Sequence, residues 1–264
     1  MNFSEYENIR FERNGRVLTV VLDRAEKLNA VSRSMHRELA RVFHDVAADP
    51  DSDFVVLTGA GRAFCAGGDL EFAEESVSDP LSFQEVLREA RTIIHSLLDC
   101  DKPIICRMNG DAVGLGATLA LFCDLIIAAD HARLADPHVR VGLVAGDGGA
   151  LIWPQLIGYA KAKQYLLTGE FISAPEAQTL GLINFAVPES ELDATVATWL
   201  GKLARGTIQS VRWTKATVNT SLKQIASTIM DTGIAYEGMS ASTADHLEAV
   251  KAMREKRKPE FKGK

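Results

Sequence analysis

The 264-residue chain has no apolar run long enough to span a bilayer, so a membrane helix is not expected. Its N-terminus, MNFSEYENIRFERNG, carries acids and scattered polar groups where a secretory leader needs a basic start and an apolar stretch, which points to a cytoplasmic protein. Cysteine is scarce: Cys65, Cys100, Cys106 and Cys123 sit singly in apolar settings without CxxC spacing. That excludes a disulfide framework and a zinc site, and no metal is expected. GxxxxGK[ST], GxSxG and HExxH are missing, and GLGATL (Gly114 to Leu119) lacks the third glycine of GxGxxG. Nucleotide-triphosphatase, serine-hydrolase, zinc-protease and NAD chemistry therefore lack their parts.

Positive charge is also in deficit. A formal charge of −6 excludes a general nucleic-acid binder. Lys251 to Lys264 nevertheless holds seven basic residues against two acidic ones. Such a tail suits a phosphorylated small molecule, or simply places cations at the negative end of a helix.

What the chain does have is apolar residue in ample supply for a core, and two strand-like runs that end in glycine-rich bends. Phe54 to Thr58 leads into GAGRAFCAGGDL (Gly59 to Leu70), and Ile104 to Cys106 leads towards NGDAVGLGAT (Asn109 to Thr118). Glycine at a bend lets backbone N–H groups face a ligand, and a helix starting there adds the positive end of its dipole. Two such amides converging on one oxygen form an oxyanion hole; two ordinary strand-to-helix turns would read the same way.

Along the chain, Ile9–Arg13 and Val17–Leu22 form a hairpin around Asn14-Gly15, a dipeptide suited to a type I′ turn. A helix capped by Ser32 carries Met35, Leu39, Val42, Phe43 and Val46 on one face and stops before Pro50. Glu71 to Pro80 reads as a mobile connection able to close over a substrate, and Leu81 to Leu98 as a helix with His95 on its polar side. A short helix over Ala117–Phe122, a strand over Leu125–Ala129 and a third glycine-rich segment, Val144 to Pro154, follow. Then come a helix over Ala174–Leu180 stopped by Gly181, a strand over Ile183–Val187, and helices near 190–204, 207–222 and 240–257. Repeated strand, bend and helix imply an α/β layer architecture.

AFCAGGDL (Ala63 to Leu70), LDRAEKLNAV (Leu22 to Val31), NGDAVGLGATLALFCDLIIA (Asn109 to Ala128) and REKRKPEFKGK (Arg254 to Lys264) resemble, in order and spacing, the signatures of the enoyl-CoA hydratase/isomerase (crotonase) family. The resemblance implies a crotonase-like spiral of ββα units over residues 1–204. It also implies a helical C-terminal region over 205–264 that makes a homotrimer or a dimer of trimers. The implied substrate is an acyl-CoA thioester, with coenzyme A as part of the substrate and no cofactor bound permanently.

By position in the family motifs, the oxyanion donors are the amides of Gly68 and Leu115. Ala30 and Ala66 match carbonyls that accept from the adenine, Arg24 and Lys27 match residues facing the phosphates, and Lys256 matches one reaching a neighbouring subunit's phosphates. The two glutamates of a hydratase fall on Thr118 and His138. A threonine orients water but is no base near neutral pH, so two-glutamate hydration is not available in that form. Imidazole both takes and gives a proton there. Asp147 matches a functional aspartate of isomerases and a dehalogenase, and its place between glycines also suits capping of the helix at Gly148–Trp153. Asp136 and Asp69 read as turn and cap residues. Phe72, Phe83, Trp153 and Tyr236 line an acyl pocket or belong to the core.

The reading is an enzyme that isomerises a double bond, with Asp147 as base and His138 assisting. Hydration, retro-Claisen cleavage or hydrolysis through a His138-activated water, a free diketone substrate, and an idle acyl-CoA-binding protein are the alternatives.

Overall fold

The computed structural model describes residues 3–264. Met1 and Asn2, where the segment read as leaderless begins, lie outside the described residues. The chain opens with β1 (Ile9–Asn14), β2 (Val17–Leu22), α1 (Arg33–Ala48), β3 (Phe54–Gly59), α2 (Leu70–Ser78) and α3 (Pro80–Asp99). It continues through β4 (Ile104–Met108), β5 (Ala112–Val113), α4 (Leu115–Leu121), β6 (Leu125–Ala129) and β7 (Arg133–Ala135). After these come α5 (Gly149–Thr168), β8 (Ile172–Ser173), α6 (Ala174–Leu180) and β9 (Phe185–Val187). Three helices close it: α7 (Leu192–Leu203), α8 (Ile208–Ala241) and α9 (Ala244–Glu255).

The main sheet has the order β1-β2-β3-β4-β6-β9, antiparallel between β1 and β2 and parallel elsewhere. A smaller sheet, β5-β7-β8, stands beside it. Parallel strands covered on both faces need continuous apolar runs rather than alternation, and β3 is buried along its whole length. In α1 the face carrying Met35, Leu39, Val42, Phe43 and Val46 is buried, and the Met35 amide donates to Ser32 Oγ at 3.2 Å as the cap.

Several local expectations shift. The hairpin turns at Gly15-Arg16, with a positive φ at Gly15 but not at Arg16. That is the glycine-first two-residue turn, not the type I′ turn expected at Asn14-Gly15. Most of the Glu71–Pro80 segment is not an irregular connection: it is α2, capped by Asp69, whose Oδ1 accepts from the Phe72 amide at 2.9 Å. The helix expected to end near 222 runs to Ala241 as one piece of 34 residues. Helix α4 starts at Leu115, two residues before the expected Ala117, so the Leu115 amide lies in its first turn.

Helices beyond residue 204 supply walls of a cavity that the glycine-rich loops also line. Glu237 of α8 and His246, Val250 and Met253 of α9 all line it.

Candidate active site

The glycine-rich loop after β3 is shaped by two buried asparagines. Asn29 Nδ2 donates to the carbonyls of Ala60 and Ala63 at 2.8 and 2.9 Å, and Asn109 Nδ2 donates to that of Gly61 at 2.8 Å. These bonds satisfy carbonyls that a sharp bend would strand in the interior. Beyond the bend, the Val31 amide donates to the Gly67 carbonyl at 2.7 Å and the Asp69 amide to the Val31 carbonyl at 3.0 Å. This parallel bridge uses the groups on either side of Gly68, so the Gly68 amide points the other way.

The second loop lies against the first. The Cys65 amide donates to the Asp111 carbonyl and the Val113 amide to the Cys65 carbonyl, while the Gly114 amide donates to the Ala135 carbonyl. Leu115 follows as the first residue of α4. Among the described residues neither the Gly68 nor the Leu115 amide has a backbone or side-chain acceptor, and both residues line one cavity of about 230 Å³. The expected pair of oxyanion donors is thus brought together on one wall. The cavity has room for the reacting part of a substrate rather than for a large ligand entire.

Opposite chemistry comes from the turn after β7 and from the third glycine-rich segment. Asp136 is buried, and its Oδ1 lies 2.5 Å from His138 Nδ1. His138 Nε2 lies 3.7 Å from Asp147 Oδ2, too far for a direct hydrogen bond but close enough for strong attraction. Burial pulls the His138 pKa down, but the negative charges of Asp136 and Asp147 outweigh it and hold the imidazole well above its ordinary range. Burial pushes Asp147 up; His138 opposes the shift and Asp136 adds to it. Asp136, expected as a turn residue, instead orients the imidazole with its buried carboxylate.

Asp147 stands one residue ahead of the N-cap of α5, and the Gly149 amide in the first turn draws its pKa down. The cap position is Gly148, which has no side chain to offer. Asp147 Oδ1 and Asp136 Oδ2 have no hydrogen-bond partner.

Sequence reasoning missed two members. Glu237 lines the cavity, only 6% exposed, its carboxyl pushed up to about 8 by burial first and then by Asp147. It lies in the part of α8 beyond the expected helix end, and no motif marks it. His36 also lines the cavity, its Nδ1 2.7 Å from Glu89, which in turn pairs with Arg33. Its signal was present, since it sits next to Met35 on the first turn of α1.

Other expected residues fall outside the cluster. Thr118 is fully buried behind the third glycine-rich segment, its Oγ1 unpartnered, and it is not part of the cavity wall. Arg24 donates to Asp69 Oδ2 at 3.0 Å and to the Ala30 carbonyl, so one residue expected to face the phosphates and one expected adenine acceptor are bonded to each other. Lys27 pairs with Glu71 at 3.3 Å on the surface. Ala66 lines the cavity beside Gly67. Lys256 is exposed and, at a positive φ, ends α9. Phe72 and Phe83 line the cavity, Trp153 is core, and Tyr236 is exposed. His95 stands away from the cavity wall.

Asp136, His138 and Asp147 offer ligand atoms within 4.8 Å of one another. A divalent ion there would need a neutral imidazole with a free nitrogen. Both carboxylates instead favour the protonated ring, and Asp136 occupies Nδ1.

The sequence matches the enoyl-CoA hydratase/isomerase family over residues 12–264. It is 34% identical over 250 residues to the 1,2-epoxyphenylacetyl-CoA isomerase of Escherichia coli, covering 94% of this chain and 95% of the relative. A solved enoyl-CoA hydratase/isomerase from Mycobacterium paratuberculosis superposes with a TM-score of 0.89 at 36% identity, covering 92% of this chain and 97% of that one. A β-diketone hydrolase from Anabaena sp. PCC 7120, solved with (S)-3-oxocyclohexyl acetic acid, superposes with a TM-score of 0.85 at 29% identity, covering 91% and 96%. No helix among the described residues is long and apolar enough to cross a membrane.

Proposed function

The chain belongs to the enoyl-CoA hydratase/isomerase family and has the crotonase fold; from that premise we propose that it isomerises a double bond in an acyl-CoA thioester, with Asp147 carrying the proton. The observation that carries this reading is the placing of the free Gly68 and Leu115 amides on the same small cavity as the buried Asp147 carboxyl. Removing a proton next to a thioester carbonyl puts negative charge on the carbonyl oxygen. Donors fixed in advance stabilise that charge by roughly 3 kcal/mol each. A carboxylate in an apolar wall is a stronger base than one in water, because burial raises its pKa towards the working pH. The adjacent imidazolium assists by favouring the ionised form of Asp147 before each turnover.

Coenzyme A enters as part of the substrate, and the protein keeps no cofactor of its own. Ala66, Ala30, Arg24, Lys27 and Lys256 serve the nucleotide end in this reading, and for Arg24 and Ala30 that requires exchanging their mutual hydrogen bond. A cytoplasmic homotrimer or dimer of trimers completes the proposal; α8 exposes Trp213, Val218 and Met239 for such contacts.

The test is α-proton exchange in deuterium oxide, followed by mass spectrometry on saturated, 2-enoyl and 3-enoyl-CoA esters. Wild type should exchange and migrate the double bond; an inert protein on every ester would sink the reading. Lys27→Ala should weaken CoA-ester binding severalfold, and an unchanged Kd would remove Lys27 from the phosphate site.

A second reading rests on the Asp136–His138 pair. Asp136 holds Nδ1, which leaves Nε2 aimed at the cavity beside Asp147, an arrangement suited to activating water. Water-dependent carbon–carbon cleavage of a β-dicarbonyl substrate uses the same donors for the departing enolate. The similarity to a β-diketone hydrolase supports including free cyclic diketones in the assay.

A further inference from the structure

Helix α8 is locked onto the third glycine-rich segment at a point where Gly146 tolerates no side chain and a Cβ at Gly233 would sit tightly at 3.2 Å from the Gly146 backbone. A Cβ at Gly146 would lie 2.3 Å from the Gly233 carbonyl oxygen and 2.8 Å from Glu237 Oε2. A turn further along, the Val144 amide donates to Ser240 Oγ at 3.1 Å, and that hydroxyl donates to the Glu237 carbonyl at 2.8 Å. Bare backbone against bare backbone brings α8 close enough for Glu237 to enter the site. Its Oε2 is buried there with no hydrogen-bond partner, on the wall shared with Asp147 and His138.

An unpaired buried carboxylate is among the costliest groups a protein can hold, and a carboxyl in that setting keeps its proton. Asp147 and Asp136 raise Glu237 further, and His138 only partly offsets them. Near neutral pH the four groups therefore divide their roles: Glu237 is the acid, while the imidazolium favours Asp147 as the base.

We infer that Glu237 is a second proton-transferring residue of this site, giving its carboxyl proton to the substrate carbon at the far end of the migrating double bond. The inference rests on the enolate chemistry proposed above. Asp147 takes a proton from C2 of a 3-enoyl thioester, and the C–H electrons enter a dienolate whose oxygen charge faces the Gly68 and Leu115 amides. The C3=C4 electrons then form a bond to the Glu237 proton at C4, C2=C3 forms and the thioester carbonyl returns. Asp147 ends protonated and Glu237 ionised, and between turnovers Asp147 releases its proton to solvent water and Glu237 takes one from it, which resets the site. One carrier shuttling a single proton predicts carry-over of label from C2 to C4. Two carriers predict solvent label at C4 with no carry-over.

The experiment compares wild type and Glu237→Gln on C2-labelled 3-enoyl-CoA esters in deuterium oxide, and adds isotope-edited infrared spectra of the unliganded proteins. Wild type should place solvent deuterium at C4. Glu237→Gln should keep C2 exchange within about threefold while migration falls roughly 10²- to 10⁴-fold, the range for loss of a general acid. A carboxylic-acid carbonyl band at neutral pH should be present in wild type and absent in Glu237→Gln. Unchanged migration in the variant, or equal loss of exchange and migration, would overturn the inference; so would the absence of that band. A wild type that neither exchanges nor isomerises any ester would refute the substrate reading, and the infrared band would then decide alone whether Glu237 holds the proton.

Discussion

Two of the places where this protein buries ionisable groups differ in what surrounds them. Lys102 is fully buried between α3 and β4, and its Nζ donates to the Val46 carbonyl at 2.7 Å, to the Asp49 carbonyl and to Ser52 Oγ at 3.0 Å. All three protons of the ammonium are placed. Around the cavity, by contrast, Asp136 Oδ2, Asp147 Oδ1 and Glu237 Oε2 have no partner. Burial lowers the Lys102 pKa, with Asp49 opposing the shift. Burial raises Asp147 and Glu237, and the charge of Asp136 adds to the rise of each while His138 opposes it. A satisfied buried charge ties elements together; an unsatisfied one beside an apolar cavity is held ready for something that arrives later.

Substitutions at the two places should separate activity from stability. Asp147→Asn should lower turnover by about 10²- to 10⁴-fold while the melting temperature changes little, because it removes a base but puts a neutral amide of the same shape in place of a buried carboxyl with one unpartnered oxygen. Steady-state rates and melting curves measured on the same preparation check this, and a large drop in melting temperature would erase the distinction. Lys102→Met should do the reverse. Stranding its acceptors beside Asp49 should cost roughly 3 kcal/mol of stability in denaturant titrations, with turnover per folded molecule unchanged.

A smaller effect sharpens the contrast through pH. Glu237 is raised from near 4.5 to about 8, so the folded state binds a proton that the unfolded state has released between those values. Its contribution to stability is complete at the acid end and is lost as pH rises through about 8. Glu237→Gln keeps the neutral form at every pH, so its melting temperature should overtake that of wild type on the alkaline side. Parallel curves across the whole range would contradict this. The smallest effect is expected at Thr118, which has an unpartnered buried hydroxyl but lies behind the cavity wall. Thr118→Val should change stability by no more than about 1 kcal/mol and leave turnover intact. A loss of turnover would mean that an unsatisfied group outside the cavity also serves the chemistry.

The parts legible in the sequence are those whose cause is local. Glycine-rich bends after apolar runs mark the Gly68 and Leu115 amides, because a backbone donor needs only a strand, a bend and a helix start to be aimed. Asp147 stands out between glycines, and His138 is conspicuous where a hydratase glutamate would be. Helix α2 was not legible: its apolar residues form a weak stripe, and its packing against α3 and α9 supports it more than its own periodicity does. Helix α8 reads past 222 as Ser, Thr and Gly with little amphipathic pattern, and Gly233 and Gly238 each suggest a stop. Its continuation depends on α3 and on the Gly146 contact.

By itself, then, the sequence determined the strand-bend-helix units, the glycine-rich bends that carry the Gly68 and Leu115 amides, and the family, since these rest on residues that are neighbours in the chain. Only the tertiary structure decided which side chains share a proton. Asp136 turns from a bend residue into the partner of His138, Arg24 and Ala30 are joined to each other, and Glu237 meets Asp147 from 90 positions away. The physical reason is that a pKa and a catalytic role depend on burial and on charges a few ångströms away. At this site that distance is fixed by how closely two glycine backbones, Gly146 and Gly233, approach.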